Sequence, residues 1–327
     1  MAKPKLTDVA ELAGVSPTTV SRVINKKGYL SQKTIDKVHE SMRELNYYPN
    51  NLARSLQGKS TQLVGLIFPT LDNIFYAELI NHLERGLFDH GYKTILCNSQ
   101  HNAEKELDYL QMLQANQVDG IIAGAHNLNH QDYEKLTAPI VSFDRFLGKG
   151  ISIVSSDNYQ GGRLATQALL KHQLKHIMMI TGSNDPHSPT YQRYQAYVDT
   201  MSEAGLEPHW IALKGDYSLV RKEMLIRDIL KEHQPEGIFC SDDQTALLVL
   251  NQMKQLGLTS PEDIRLIGYD GTSFIQNYIP SLTTIQQPIE ELASLLIDVL
   301  IRQIKQPDEV IEERLTLPVR LITGETC

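Results

Sequence analysis

The sequence predicts a small helical head joined to a larger α/β body of two similar lobes, each a mostly parallel sheet with helices on both faces. Three observations carry this prediction. A helix, a tight turn and a second helix are written into residues 7–25. The charge is split: residues 1–60 hold ten Lys or Arg against five Asp or Glu, a net of +5, and the rest carries −13, giving the total of −8. From Leu63 onward, apolar β-rich runs alternate with amphipathic helices, a pattern that produces parallel sheets.

The head comes first. Ser16 is a good N-cap, and Pro17 follows at the first helical position, where its missing N–H costs nothing. Val20, Val23 and Ile24 then fall on one side of the second helix, and Thr18, Ser21, Arg22 and Asn25 on the other. Hydroxyls, a guanidinium and an amide on one face are groups that reach phosphates and base edges in a major groove. The simpler alternative is a helical pair whose polar face meets water. The absence of Asp and Glu from that face, and the basic head on an acidic body, favour nucleic acid. Ser31 caps a third helix, in which Ile35, Val38, Met42 and Leu45 repeat at helical spacing. Pro49 ends the unit.

Residues 50–59 form a short segment with an Asn cap, about two turns of helix formers and a Gly stop. It is too short to be a stable helix alone, so it is expected to order only on DNA and against a second copy. A plain linker is the alternative, which Arg54 and Leu56 speak against.

In the body the strands read 63–68, 94–97, 120–123, 140–143 and 153–155, then 177–181, 209–213, 237–240 and 265–269. Helices between them read 76–90, 104–116, 160–172, 191–204, 219–232 and 244–256. Ligands in such folds bind beyond the carboxyl ends of the strands. Those ends carry Phe75, Tyr76, Phe143, Asp144, Arg145, Asp157, Arg193, Tyr217, Asp242 and Asp270. Carboxylates, a guanidinium and flat rings suit a neutral sugar: acceptors and donors grip adjacent hydroxyls, and a ring covers the apolar sugar face. Each Asp has a second reading as a helix N-cap. For Asp243 the cap is preferred; for Asp242 and Asp270 taken singly the two readings stay open.

Bulk properties exclude other classes. A hydrophobic fraction of 41% and a mean hydropathy of −0.27 fit a globular chain. No secretory segment and no membrane-length apolar run is visible. Cys97, Cys240 and Cys327 show no paired spacing, so the expected compartment is the reducing cytoplasm, with Cys97 and Cys240 as buried strand residues. No phosphate loop, dinucleotide fingerprint, nucleophile elbow or zinc-protease motif occurs. The pairs His172/His176 and His126/His130 lack a third ligand, so structural roles are expected and neither metal nor cofactor.

The head, the segment Pro49-Asn50-Asn51-Leu52-Ala53-Arg54-Ser55-Leu56 and the two-lobed body together resemble the lactose-repressor family over essentially the whole chain. Further matching motifs are Asn73-Ile74-Phe75-Tyr76, Val118-Asp119-Gly120-Ile121-Ile122, Ser241-Asp242-Asp243-Gln244, Ile267-Gly268-Tyr269-Asp270 and Leu282-Thr283-Thr284-Ile285. Within the family, Ser16-Pro17-Thr18-Thr19, residues 54–60 and Ser155-Ser156-Asp157-Asn158 are most similar to the sucrose-operon repressors of Gram-positive bacteria.

The resemblance implies a helix-turn-helix DNA-binding head over 1–49, a hinge helix and linker over 50–61, and a periplasmic-binding-protein-like body over 62–327. Its lobes span about 62–158 plus 288–320, and 159–287. It implies a homodimeric repressor, not an enzyme, on a pseudo-palindromic operator. Pro17, Thr18 and Arg22 would read bases; Thr7, Ser16, Thr19, Ser21 and Asn25 would position the helix on phosphates. Leu56 would wedge into the minor groove, supported by Asn50, Arg54 and Gln57. In the body, Arg193 and Asp270 would read sugar hydroxyls, Asp242 sits where many members have Asn, Tyr217 would stack, and Phe75, Tyr76 and Asp144 would line the other lobe. Ile289 stands where some members carry a cleft aromatic, and no tetramer helix is expected after Leu321. A sugar or sugar phosphate would close the cleft, separate the hinges and release DNA.

Two rivals remain. A catabolite-control regulator with a phosphorylated carrier protein as corepressor would have Arg near the position of Asp298, where this chain has an acid. A sugar-binding transport protein would lack the basic head.

Overall fold

In the computed structural model, the described residues are 4–25, 27–48, 60–124, 127–128, 132–133, 135–182, 188 and 190–327. Contacts divide the chain into two units, Met1–Thr61 and Gln62–Cys327.

The head is three helices, α1 (Leu6–Ala13), α2 (Pro17–Ile24) and α3 (Gln32–Glu44). Gly14 ends α1 at φ +63°, a left-handed conformation that costs glycine nothing and turns the chain into α2. Ser16 Oγ accepts from Thr19 N (3.1 Å) and Ser31 Oγ from Thr34 N (3.2 Å), so both predicted caps form. Val9, Ala10, Ala13, Val20, Val23 and Val38 make the core. Ile24, Ile35, Met42 and Leu45 pack against it half-buried, because so small a unit has little interior to offer.

The body holds two six-stranded sheets. The first contains β1 (Leu63–Phe68), β2 (Lys93–Asn98), β3 (Gly120–Ala123), β4 (Ile140–Phe143), β5 (Ser152–Ser156) and β11 (Arg314–Leu317), in the order β11-β5-β4-β3-β1-β2, all parallel. The second contains β6 (Ile177–Thr181), β7 (His209–Ala212), β8 (Gly237–Cys240), β9 (Arg265–Asp270), β10 (Thr283–Gln286) and β12 (Arg320–Ile322), in the order β12-β10-β9-β8-β6-β7. Here β12 runs antiparallel to β10. Cys97 and Cys240 are buried strand residues, as their apolar neighbours predict.

Helices cover both faces of each sheet. In the first lobe, α4 (Ile74–Asp89) and α11 (Ile289–Lys305) bury Leu79, Leu83, Leu292, Leu296 and Leu300 against one face, and α5 (Ala103–Ala115) buries Leu110 and Leu113 against the other. In the second, α6 (Asn158–Leu170) and α7 (Thr190–Glu203) lie opposite α8 (Leu219–Asp228) and α9 (Asp243–Gln255). A short α10 (Ser273–Tyr278) follows β9.

Three features differ from the sequence reading. Strands β10, β11 and β12 are short and of mixed polarity, and periodicity does not mark them. The helix read as 219–232 is α-helical only to Asp228 and continues as a π-turn over Ile229–His233. The chain also crosses between sheets three times, after Ser156, after Gln286 and after Leu317, which aligns the carboxyl ends of both sheets on one cleft. No described helix is long and apolar enough to cross a membrane.

Candidate functional site

In the head, Thr7, Ser16, Pro17, Thr18 and Arg22 are exposed, and Thr19, Ser21 and Asn25 half-buried. Val20 and Val23 anchor α2 from beneath, so Thr18 and Arg22 project from a face the core does not use. Ser16 and Thr19 hydroxyls lie 2.9 Å apart at the helix start. Asn25 turns back, donating to Ser21 O (2.6 Å) and Ser21 Oγ (3.2 Å), and so ties the helix end. Asn50, Arg54, Leu56 and Gln57 lie outside the described residues.

In the body, a cavity of about 120 Å³ sits where the two sheets' carboxyl ends meet. Phe75, Tyr76, Asp144, Arg193, Asp242 and Asp270 all line it. Tyr217 does not; the Arg221 guanidinium lies over its ring at 3.8 Å instead. The first lobe supplies an aromatic wall: Phe75 has ring centroids 5.7 Å from both Tyr76 and Phe143, and Tyr76 is 5.7 Å from Phe68. Asn73 starts that wall by capping α4, its Oδ1 accepting from Phe75 N and Tyr76 N. The second lobe supplies Arg193, Asp242 and Asp270.

Arg193 is 5% exposed and held on four sides. Its Nε donates to Asn158 Oδ1 (2.7 Å) and its Nη1 to Ser241 O (2.5 Å). Nη1 lies 3.7 Å from Asp270 Oδ1, and the guanidinium stacks on Tyr269 at 3.6 Å. Burial opposes the charge of Arg193, but Tyr269, Asp270, Asp144 and Asp242 outweigh it and raise its pKa. The backbone of α7 can approach α6 this closely because position 162 is glycine: a Cβ there would stand 2.5 Å from Arg193 O.

Three residues to which the sequence reading gave no site role complete a chain of hydrogen bonds through the cleft. Asn158 Nδ2 donates to Asp144 Oδ1 (2.7 Å) while its Oδ1 receives Arg193. Gln287 Nε2 donates to Asp270 Oδ1 (2.7 Å), and its Oε1 accepts from Ser156 Oγ (2.7 Å). Ser156 and Gln287 stand at two of the three crossings, so the crossings between the lobes and the sugar-reading candidates share one network. Nothing local in the sequence marks Gln287; only the crossing gives it its partners.

The aspartates separate by role. Asp242 is the N-cap of α9, with Oδ1 accepting from Thr245 N (2.7 Å) and Oδ2 from Thr245 Oγ1 (2.9 Å), while still facing the cavity. The preferred cap reading of Asp243 is therefore corrected: it is the first residue inside the helix and points into the core. There Oδ2 accepts from Gly271 N (2.7 Å) and Oδ1 from Thr284 Oγ1 (2.6 Å), fixing the turn after Asp270. Burial pushes Asp243 up to about 7 and Asp144 up to about 6, the latter despite Arg193, Arg145 and Asn158. Burial likewise lifts Asp270 well above the usual carboxylate range. Asp144 (φ +63°) and Asp270 (φ +117°) both hold left-handed backbone, an energetic cost that is concentrated at binding sites.

No group of three or more His, Cys, Asp or Glu among the described residues is placed to hold a metal. His172 and His176 are described; His126 and His130 lie outside the described residues.

Comparisons with known proteins place both units. Residues 5–50 match the model for bacterial regulatory proteins of the lacI family, and residues 166–327 that for a periplasmic binding protein-like domain. The chain is 55% identical over 322 residues to a sucrose operon repressor of Streptococcus mutans, covering 98% of this chain and 99% of that protein. It is 52% identical to one of Pediococcus pentosaceus, covering 99% and 100%. Among solved structures, the lac repressor dimer bound to operator and the anti-inducer ONPF superposes with a TM-score of 0.85 at 27% identity, covering 99% of each chain. A LacI transcriptional regulator of Alkaliphilus metalliredigens complexed with D-xylulofuranose superposes with a TM-score of 0.74 at 32% identity, covering 81% of this chain and 98% of that one. The chain belongs to the lacI family of bacterial regulatory proteins.

Proposed function

We propose that this protein is a transcriptional repressor of a sucrose-utilisation operon, released from its operator by a small sugar held between the two body lobes. The observation that carries the operon assignment is identity of 50–55% along the whole chain to three sucrose operon repressors. The protein binds pseudo-palindromic operator DNA as a homodimer, acts in the cytoplasm and catalyses no reaction. Pro17, Thr18 and Arg22 read bases, and Thr7, Ser16, Thr19, Ser21 and Asn25 position α2 on the backbone. Leu56 wedges the operator centre with Asn50, Arg54 and Gln57 in support. The exposed face of α2 supports the first of these roles.

In the body, Arg193, Asp242 and Asp270 take the hydroxyls, Asp144 assists from the first lobe, and the Phe75–Tyr76 wall covers the apolar sugar face. Tyr217, which does not line the cavity, is left out of this set. The effector acts by binding one lobe arrangement better than the other, through a network that already runs from the cleft into two crossings. The test is operator binding by gel shift at fixed salt, with and without sugars. A sucrose-operon fragment retarded at nanomolar protein and released by a sugar supports the reading. Retention of unrelated DNA with equal affinity, or no release by any sugar, overturns it.

A further inference from the structure

The cleft constrains its own ligand. We infer that the effector is a single uncharged sugar ring, a monosaccharide, and neither an intact disaccharide nor a phosphorylated sugar. The inference rests on reading this cleft as the effector site and narrows that reading to a ligand class.

Size is the first ground. The cavity of about 120 Å³ falls well short of the roughly 300 Å³ at which pockets for drug-sized ligands begin. A disaccharide belongs to that larger class; one ring is about half of it.

The lobes are also fastened at this separation. Ser273 N and Oγ, at the start of α10 in the second lobe, both donate to Glu78 Oε2 on α4 of the first (2.9 and 2.8 Å). Gln244 Nε2 of α9 donates to Asp72 O (3.1 Å). Widening the cavity between the lobes for a second ring breaks these contacts and withdraws the aromatic wall from the hydroxyl readers opposite. A single ring keeps both walls in reach.

Charge is the third ground. The lining holds three carboxylates, Asp144, Asp242 and Asp270, against two guanidiniums, Arg145 and Arg193. Phosphate is best gripped by the free fork of an arginine. Arg193 has already spent Nε on Asn158 and Nη1 on Ser241, and its positive charge is shared with Asp270. Its Nη2, which makes no hydrogen bond among the described residues, remains to donate to a sugar hydroxyl. A phosphate dianion here would find Arg193 already engaged by the protein, with Asp144, Asp242 and Asp270 around it.

The operon's disaccharide is sensed only after a hydrolase adds water across the glycosidic bond and frees the two monosaccharides, so the repressor reports a product of catabolism.

The test is isothermal titration of the full-length protein with glucose, fructose, sucrose, glucose 6-phosphate and fructose 6-phosphate at one ionic strength. Arg193→Ala and Tyr76→Leu are titrated in parallel; Tyr76→Leu removes one wall ring without disturbing the buried ion pair. At least one monosaccharide is expected to bind tenfold or more tightly than sucrose and either phosphate, and to lose at least tenfold in both variants. If sucrose or a phosphate binds tightest and both variants weaken it, the size and charge inference fails while the site reading stands. If sugar binding is unchanged in both variants, or no sugar binds, the site reading fails and takes the inference with it.

Discussion

The head and the cleft prepare for their partners in opposite ways. The groups of α2 proposed to face DNA stand on one eight-residue helix, and Thr18 and Arg22 are exposed. They wait in water for a charged partner whose own counterions supply much of the binding free energy. The cleft draws its groups from several elements of both lobes and buries Arg193, Asp270, Asn158, Ser156 and Gln287, so each of these must be satisfied within the protein before any ligand arrives. Arg193, Asn158, Asp144, Asp270, Gln287 and Ser156 do this for one another. An exposed site can therefore be changed without cost to the fold, whereas a buried network couples binding to the stability and geometry of the whole body. That coupling is what a switch needs, because a ligand that replaces bonds in the network also changes what holds the crossings.

The sharpest way to break this contrast is Arg193→Ala. Removing one partner of a buried pair leaves Asp270 without its cation, and the body is expected to lose about 3–5 kcal/mol. Thermal unfolding measures this, and a loss below about 1 kcal/mol removes the claim that the cleft is a stability element. Next is Arg22→Ala. It should weaken operator binding by about 1–3 kcal/mol while leaving unfolding within roughly 0.5 kcal/mol of the parent. A clear drop in head stability instead would mean that this face is not held apart from the core.

Gln287→Ala is expected to cost about 1–3 kcal/mol, since it strands the Asp270 carboxyl and the Ser156 hydroxyl. Effector affinity should fall, and the change in operator affinity on adding effector should shrink, while effector-free operator binding persists. An unchanged effector response would uncouple Gln287 from the switch.

The smallest effect is a slope. Burial raises Asp144 to about 6, so between roughly pH 4 and pH 6 the native state keeps a proton that the unfolded chain has lost. Its contribution to stability is complete below about pH 4 and is lost as pH rises through 6. Asp144→Asn, which tolerates the left-handed backbone, should flatten the melting temperature over this range. An identical slope in the variant would show that Asp144 does not titrate there.

The head was almost wholly legible, because its information is local. Caps at Ser16 and Ser31, the Pro17 start and the Val20–Val23 spacing each act within one turn of helix. The fold class of the body was legible for the same reason, strand by strand, as far as β9. Beyond it, β10, β11 and β12 are ordered by neighbours 16 or more residues distant, and β11 pairs with β5 across the length of an entire lobe.

Within the cleft, the residues at strand ends could be named from their chemistry, and six of the seven line one cavity. Their individual duties could not. Whether Asp242 or Asp243 caps α9 depends on which carboxylate finds Gly271 and Thr284, residues 28 and 41 positions away. Gln287 has ordinary local sequence, Asn158 stood out only as part of a matching motif, and both acquire their roles only where the chain crosses between lobes. By itself the sequence determined what is set by short-range propensity and charge: a basic helical head, an acidic two-lobed α/β body, and the groups available at its cleft. Only the tertiary structure decided which of those groups are spent on the protein and which remain for a ligand, because hydrogen-bond satisfaction in a buried site is a long-range property of the fold.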